Sequence, residues 1–212
     1  MRNLDPERLC VYVVTSDAFG RTHEEVARAA LEGGATAVQL RAKDIDDEHL
    51  APLAAAISAR CRAVGALFVV NDRVEVALAV GAEGVHVGQS DELEGVRGRL
   101  GTEMILGVSV DDAEQARRAE AAGANYLGVT VWSTPTKPDA RPRGLDGLRA
   151  VLDASALPVV GIGGIDVSNA AEVLAAGAIG VAVISAVAAA EDPTAATRGL
   201  TEVVARWRAG ER

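Results

Sequence analysis

The sequence predicts an α/β chain closed into a parallel barrel of eight strands, each followed by a helix. Three observations carry that prediction. Eight short β-branched runs alternate with helical patterns, a Gly-Ala junction recurs before four of the runs, and most runs end in a small polar or glycine cluster. Strand ends drawn from the whole chain can form one site when the sheet closes on itself, because a barrel gathers its functional groups where the strands finish. The (β/α)8 TIM barrel, as a single domain over residues 1–212, is therefore the expected fold.

Taken in order, the first run is Cys10 to Val14, and Thr22 with Glu25 three residues on is a capping-box pattern that starts a helix. That helix ends at Gly34-Ala35, where glycine suits a left-handed C′ position, and Thr36 to Leu40 follows as the second strand. Leu67 to Val70 is the third; Gly81-Ala82 then precedes Gly84 to Val87. Met104 to Val108 is the fifth, and Asp111 with Glu114 marks the next helix start. Gly123-Ala124 introduces Tyr126 to Val129. A long connection from Trp132 to Arg143 carries three of the seven prolines, which is typical of a functional loop. Pro158 to Ile162, a helix start at Ser168 near Glu172, Gly177-Ala178 and Ile179 to Ile184 complete the series.

Composition narrows the function. Apolar residues make up 49% of the chain and aromatics only 3%, so Ala, Val, Leu and Ile must fill the core, as they do in parallel sheets. A net charge of −9 opposes a nucleic-acid surface, and any anionic substrate needs local positive charge. Cys10 and Cys61 read as small buried hydrophobes in a reducing cytoplasm rather than as a disulfide framework. Met1 to Cys10 holds two arginines and two acids and has no apolar centre, unlike a signal peptide. The longest apolar stretch, Gly177 to Ala190, is shorter than the roughly 20 residues of a membrane span.

The clusters suggest two phosphate sites. Residues two apart on a strand face the same way, so Gln39, Arg41 and Lys43 share one face while Val38 and Leu40 turn to the helices. Arg41 offers a bidentate fork for phosphate and Lys43 a mobile charge. Asn71-Asp72 and Gln89-Ser90-Asp91 place two carboxylates on neighbouring strand ends, a set that holds a hard cation such as Mg²⁺ beside phosphate oxygens. Helix capping is the alternative use of both acids. Gly161-Ile162-Gly163-Gly164 and Ile184-Ser185-Ala186 end the last two strands, where barrels commonly bind a monophosphate. Thr134, Thr136 and Lys137 add two hydroxyls and a cation. His86, inside an apolar strand, is read as a core histidine satisfied by a neighbour, with a ligand-orienting or proton-shuttling role as the other reading.

In this order the motifs resemble the thiamine phosphate synthase family from Tyr12 to about Ala188: Gln-x-Arg-x-Lys, Asn-Asp, His-x-Gly-Gln-x-Asp, Gly-Val-Ser, Thr-x-Thr-Lys, Gly-Ile-Gly-Gly-Ile and Ile-Ser-Ala. The resemblance implies a transferase of thiamine biosynthesis that joins hydroxymethylpyrimidine pyrophosphate to thiazole phosphate, releasing pyrophosphate. It further implies that Gln39, Leu40, Arg41, Ala42, Lys43, Asn71, Ser109 and Lys137 hold the pyrimidine substrate, with Arg41, Lys43, Lys137 and Ser109 acting on the leaving group. Asp72 and Asp91 would bind Mg²⁺, and Thr134, Pro135, Thr136, Gly163, Gly164, Ile184 and Ser185 the thiazole phosphate. The partners so implied are small molecules, with no nucleic acid and no membrane; a homo-oligomer is compatible with this chemistry. A tautomerase of the thiazole and a non-catalytic binding barrel share the phosphate loops, but neither needs Arg41, Lys43, Asp72 and Asp91 together. The chain departs from the family pattern at Val129-Thr130-Val131-Trp132-Ser133, where a Gly-Pro and two larger apolar residues are usual and one residue more is present.

Overall fold

The structure, a computed structural model, describes residues 4–88, 92–134 and 141–210, apart from the side chain of Glu94. Eight parallel strands form a closed barrel in sequence order: β1 (Val11–Val14), β2 (Ala37–Leu40), β3 (Leu67–Asn71), β4 (Gly84–Val87), β5 (Ile105–Ser109), β6 (Tyr126–Thr130), β7 (Val159–Ile162) and β8 (Gly180–Val183). The barrel is sealed by β1 against β8, with Tyr12 opposite Ala182. Each expected strand lies within one residue of its observed limits. The helices alternating with them are α1 (His23–Glu32), α2 (Asp47–Val64), α3 (Val74–Ala79), α4 (Leu93–Leu100), α5 (Ala113–Ala121), α6 (Gly144–Ala154), α7 (Ala170–Ala175), α8 (Ser185–Ala188) and α9 (Pro193–Arg208).

Two apolar layers result from the alternation of side chains along each strand. Outward residues such as Val13, Val38, Leu40, Val85 and Leu127 pack against the helices. Inward residues, including Leu9, Tyr12, Ala37, Leu67, Ile105, Tyr126 and Val160, fill the barrel. Apart from Phe68 and a few partly buried aromatics, the outer shell is closed mainly by alanines, valines and leucines at zero or near-zero exposure.

The Gly-Ala junctions are Schellman motifs. At the end of α1 the Gly34 N–H donates to Leu31 O (3.1 Å) and the Ala35 N–H to Ala30 O (2.9 Å), with Gly34 at φ +92°. The same pair of bonds closes α3, α5 and α7 at Gly81-Ala82, Gly123-Ala124 and Gly177-Ala178, and the alanine is buried each time. Gly65-Ala66 closes α2 in the same way, a fifth instance before β3.

Thr22 and Glu25 form the expected capping box. The other two helix starts are displaced. Asp112, not Asp111, caps α5 by accepting from the Glu114 and Gln115 N–H groups, while Asp111 pairs with Arg143 at 3.1 Å. Ser168 donates its backbone N–H to the Asp166 carboxylate in a turn, and α7 begins two residues later without a side-chain cap. No helix among the described residues is long and apolar enough to cross a membrane.

Candidate active site

A cavity of about 880 Å³, measured out to its open mouth, occupies the C-terminal end of the barrel. Concave, with apolar walls and a few convergent polar groups, it suits a small-molecule ligand. Strand ends from around the barrel supply the walls, so residues more than 140 positions apart in sequence, such as Gln39 and Ser185, face one space. Of the expected site residues, Gln39, Arg41, Asn71, Ser109, Thr134, Gly163, Gly164, Ile184 and Ser185 line it.

Arg41 follows β2, and its backbone N–H donates to the Thr15 hydroxyl (3.3 Å). Thr15 in turn contacts His23 Nδ1 at 2.8 Å, a buried brace that ties the ends of β1 and β2 to α1. Leu40 and Ala42 lie beside it in the chain but direct their side chains to the hydrophobic shell rather than to the cavity. Lys43 is exposed beyond the strand, and its carbonyl accepts from Arg73 (3.3 Å).

Asp72 has φ +61°, the only left-handed non-glycine among the described residues. Its backbone N–H donates to His86 O (2.9 Å), and Asn71 Nδ2 donates to its carboxylate at 2.6 Å. The capping alternative is not what is seen: α3 has Arg73 at its N-cap position and no side-chain cap. A left-handed aspartate costs free energy, so its retention with an oriented carboxylate at the barrel mouth is a local strain of the sort found at functional positions. Asp72 is not itself among the residues lining the cavity, but its carboxylate is held by the amide of Asn71, which is; one oriented carboxylate of this kind fits Mg²⁺, which takes few protein ligands and completes its shell with phosphate oxygens and water. No group of three or more His, Cys, Asp or Glu suited to a metal occurs among the described residues. Asp91, the second expected ligand, lies outside the described residues, as do Pro135, Thr136 and Lys137.

Gly163 (φ +90°) and Gly164 (φ +63°) form a left-handed pair after β7. A Cβ on Gly163 would stand 2.6 Å from Trp132 O, and one on Gly164 would stand 2.9 Å from Ser133 O. The glycines thus admit the loop after β6 as well as lining the cavity. That loop is held at its base, where Arg143 and Gly144 donate their N–H groups to Thr130 O and Val131 O at 2.9 Å each. The departure at 129–133 is accommodated with Val131 fully buried and Trp132 packed on the core. After the neighbouring β8, Ser185 opens the short α8, whose far end is capped by Arg21 through Ala188 O (3.0 Å).

On the cavity floor Tyr12 and Tyr126, which the sequence did not single out, join Gln39, His86 and Ser109. Gln39 Nε2 donates to Tyr12 Oη (2.9 Å), Tyr12 Oη meets Tyr126 Oη (2.8 Å), Tyr126 Oη meets His86 Nδ1 (3.0 Å), and His86 Nε2 meets Ser109 Oγ (2.9 Å). Burial pushes both phenols well above the usual tyrosine range, so each keeps its proton. His86 is both a satisfied core histidine and a cavity residue.

Over residues 10–187 the chain matches the family described as thiamine monophosphate synthase. The chain belongs to that family. It is 52% identical to the thiamine-phosphate synthase of Moorella thermoacetica, covering 94% of this chain and 97% of that protein. With the thiamine-phosphate synthase of Archaeoglobus fulgidus it shares 45% identity over 95% of this chain and 96% of the relative. A solved thiamine phosphate pyrophosphorylase from Pyrococcus furiosus superposes with a TM-score of 0.89 at 42% identity, covering 95% of this chain and 98% of that one.

Proposed function

We propose that this barrel is a thiamine-phosphate synthase that binds hydroxymethylpyrimidine pyrophosphate and thiazole phosphate in one cavity and joins them. The methylene carbon–oxygen bond to pyrophosphate breaks with both electrons leaving on oxygen, and the thiazole nitrogen lone pair then forms the new carbon–nitrogen bond. Family membership supports thiamine phosphate synthesis. The observation that carries the finer reading is convergence: Arg41, Asn71 and Ser109 line one cavity with Gly163, Gly164 and Ser185, and Asn71 bonds the Asp72 carboxylate.

An electron-rich aminopyrimidine stabilises a cation on its methylene, so no protein nucleophile is required. The task left to the protein is to favour charge on the departing group and to exclude water. Arg41, without an ion pair among the described residues, is available to fork phosphate oxygens, with Lys43 and Lys137 as further cations. Asn71 holds the Asp72 carboxylate in place for Mg²⁺, and Asp91 is its proposed companion. When bound, the metal neutralises phosphate oxygens and lowers the cost of their departure. Val14, Val160 and Ile162 form apolar wall that keeps water from the reacting carbon. Thr134, Ile184 and Ser185, with Thr136 and Pro135 from the same loop, are assigned to the thiazole phosphate. Two buried, unpaired thiols agree with a reducing cytoplasm, and the acidic chain with small-molecule rather than nucleic-acid partners.

The test is to supply purified protein with both substrates and Mg²⁺ and to measure thiamine phosphate and pyrophosphate together. Equal amounts of the two products are expected, falling to a trace with chelator and in Asp72→Asn. Folded protein that forms neither product would overturn the reading; full activity of the Asp72→Ala, Asp91→Ala variant in chelator would overturn the metal assignment alone.

A further inference from the structure

Beneath the residues assigned to substrate, we propose that Gln39, Tyr12, Tyr126, His86 and Ser109 form a one-way hydrogen-bond relay. It fixes His86 as the Nε2–H tautomer and makes Ser109 a proton donor toward the cavity, with Tyr12, Tyr126 and His86 as positioning residues. Only the nature of the acceptor that Ser109 meets rests on the synthase reading.

Direction follows from the end of the row that cannot reverse. The Gln39 amide nitrogen only donates, and it faces Tyr12 Oη at 2.9 Å. Tyr12 has accepted there, so its own proton goes to Tyr126 Oη at 2.8 Å. Tyr126 passes its proton to His86 Nδ1 at 3.0 Å, which must therefore be the bare ring nitrogen. A neutral imidazole with a bare Nδ1 carries its hydrogen on Nε2, and Nε2 lies 2.9 Å from Ser109 Oγ. The Ser109 hydroxyl accepts from the ring and turns its own hydrogen into the cavity that it lines. Burial keeps both phenols protonated, and neither oxygen has a further partner among the described residues, so a phenol that accepted twice would strand its own buried hydrogen at a cost of about 1–3 kcal/mol. The opposite direction would require either the Gln39 oxygen to face Tyr12 or a buried phenol hydrogen left without an acceptor.

The barrel is built around this row. A Cβ on Gly107 would lie 2.1 Å from Tyr126 Cζ and 2.4 Å from its hydroxyl, and one on Gly128 would lie 3.3 Å from His86 Cε1. Both strands thus give up a side chain so that the two rings can meet inside. A fixed donor suits an anionic oxygen, and under the synthase reading that oxygen belongs to the pyrophosphate, whose charge grows as it leaves.

Ring-nitrogen chemical shifts of His86, measured by NMR on histidine-labelled full-length protein, test the relay without reference to activity. The chain has three histidines, so His23→Gln and His49→Gln assign the His86 signals by elimination. A protonated Nε2 and a bare Nδ1 are expected; a protonated Nδ1 would overturn the proposal, even in an active synthase. Gln39→Glu keeps the shape but replaces the donor with an acceptor, and should move the proton from Nε2 to Nδ1. An unchanged tautomer in folded Gln39→Glu would also overturn it. In turnover, Tyr126→Phe should lower kcat about tenfold, as for one lost oriented hydrogen bond, with a smaller change in KM. Ser109→Ala added to Tyr126→Phe should cost little more, whereas independent, multiplying losses would refute the coupling. Wild-type protein with the expected tautomer and no product would retain the relay and remove the synthase reading.

Discussion

Replacing Gly107 with alanine is the sharpest structural perturbation of the cavity floor. The new methyl would stand 2.1 Å from Tyr126 Cζ, far inside contact distance, so the buried ring could relax only by moving toward the cavity and away from its partners. Forcing one extra carbon into a packed interior costs roughly 1–3 kcal/mol. Displacing the ring also breaks the 2.8 Å bond to Tyr12 and the 3.0 Å bond to His86, and each stranded buried group costs about 1–3 kcal/mol. With partial relaxation, a loss of about 3–5 kcal/mol is expected, a large part of the roughly 5–15 kcal/mol that a domain of this kind possesses. Thermal denaturation should show it as a fall of roughly 8–15 °C in Tm. Gly107→Ala combined with Tyr126→Val, which removes the obstructing ring, should recover at least about 1 kcal/mol while leaving the relay broken. If Gly107→Ala melted with wild type, or if the double variant were no more stable than the single, the account of the glycine as a slot for Tyr126 would be wrong.

Further outcomes follow from other sites. Asp72→Gly relieves the left-handed backbone and should be at least as stable as wild type in denaturant titration while losing most metal-dependent turnover; a clear loss of stability would contradict the strain argument. Burial raises the Cys10 thiol to about 11 and the Cys61 thiol to about 12, so neither should alkylate in native protein at pH 8, whereas both should react in denaturant. Burial depresses His23 below its ordinary 6.5, with Asp17 opposing, so the fold rejects a proton that the unfolded chain accepts. That contribution to stability is complete above pH 6.5 and falls as the pH drops below it; His23→Gln should flatten the acid side of the stability profile, and an unchanged slope would count against it.

Strand positions were legible because β-branched runs and their turn residues are local signals, and the Gly-Ala junctions named four helix ends by the left-handed geometry that glycine permits. The fifth, Gly65-Ala66, carries the same dipeptide. Asp111 and Asp112 are adjacent acids, and which one caps α5 depends on the Arg143 partner that arrives from a distant loop. The cavity rim was also legible, since its residues sit at strand ends. The floor was not, because Tyr12 and Tyr126 lie within apolar runs and meet only when β1 and β6 face each other across the closed barrel. A clue was nevertheless present: the chain has two tyrosines, both in strands, and a buried phenol seeks a polar partner.

The seal between β1 and β8 joins Val11 to Val181, almost the whole length of the chain, while each Schellman motif needs only its own helix end. Local turns can therefore form early, whereas the closing seam bears the greatest loop-closure entropy and is expected to form late. Tyr12 sits on that seam, opposite Ala182. An unsealed intermediate would already hold Arg41, Asp72 and Gly163 on their own βα units, yet Ser109 would lack its orienting chain. If the relay acts as proposed, closing the β1–β8 seam would be the step that completes the floor of the site.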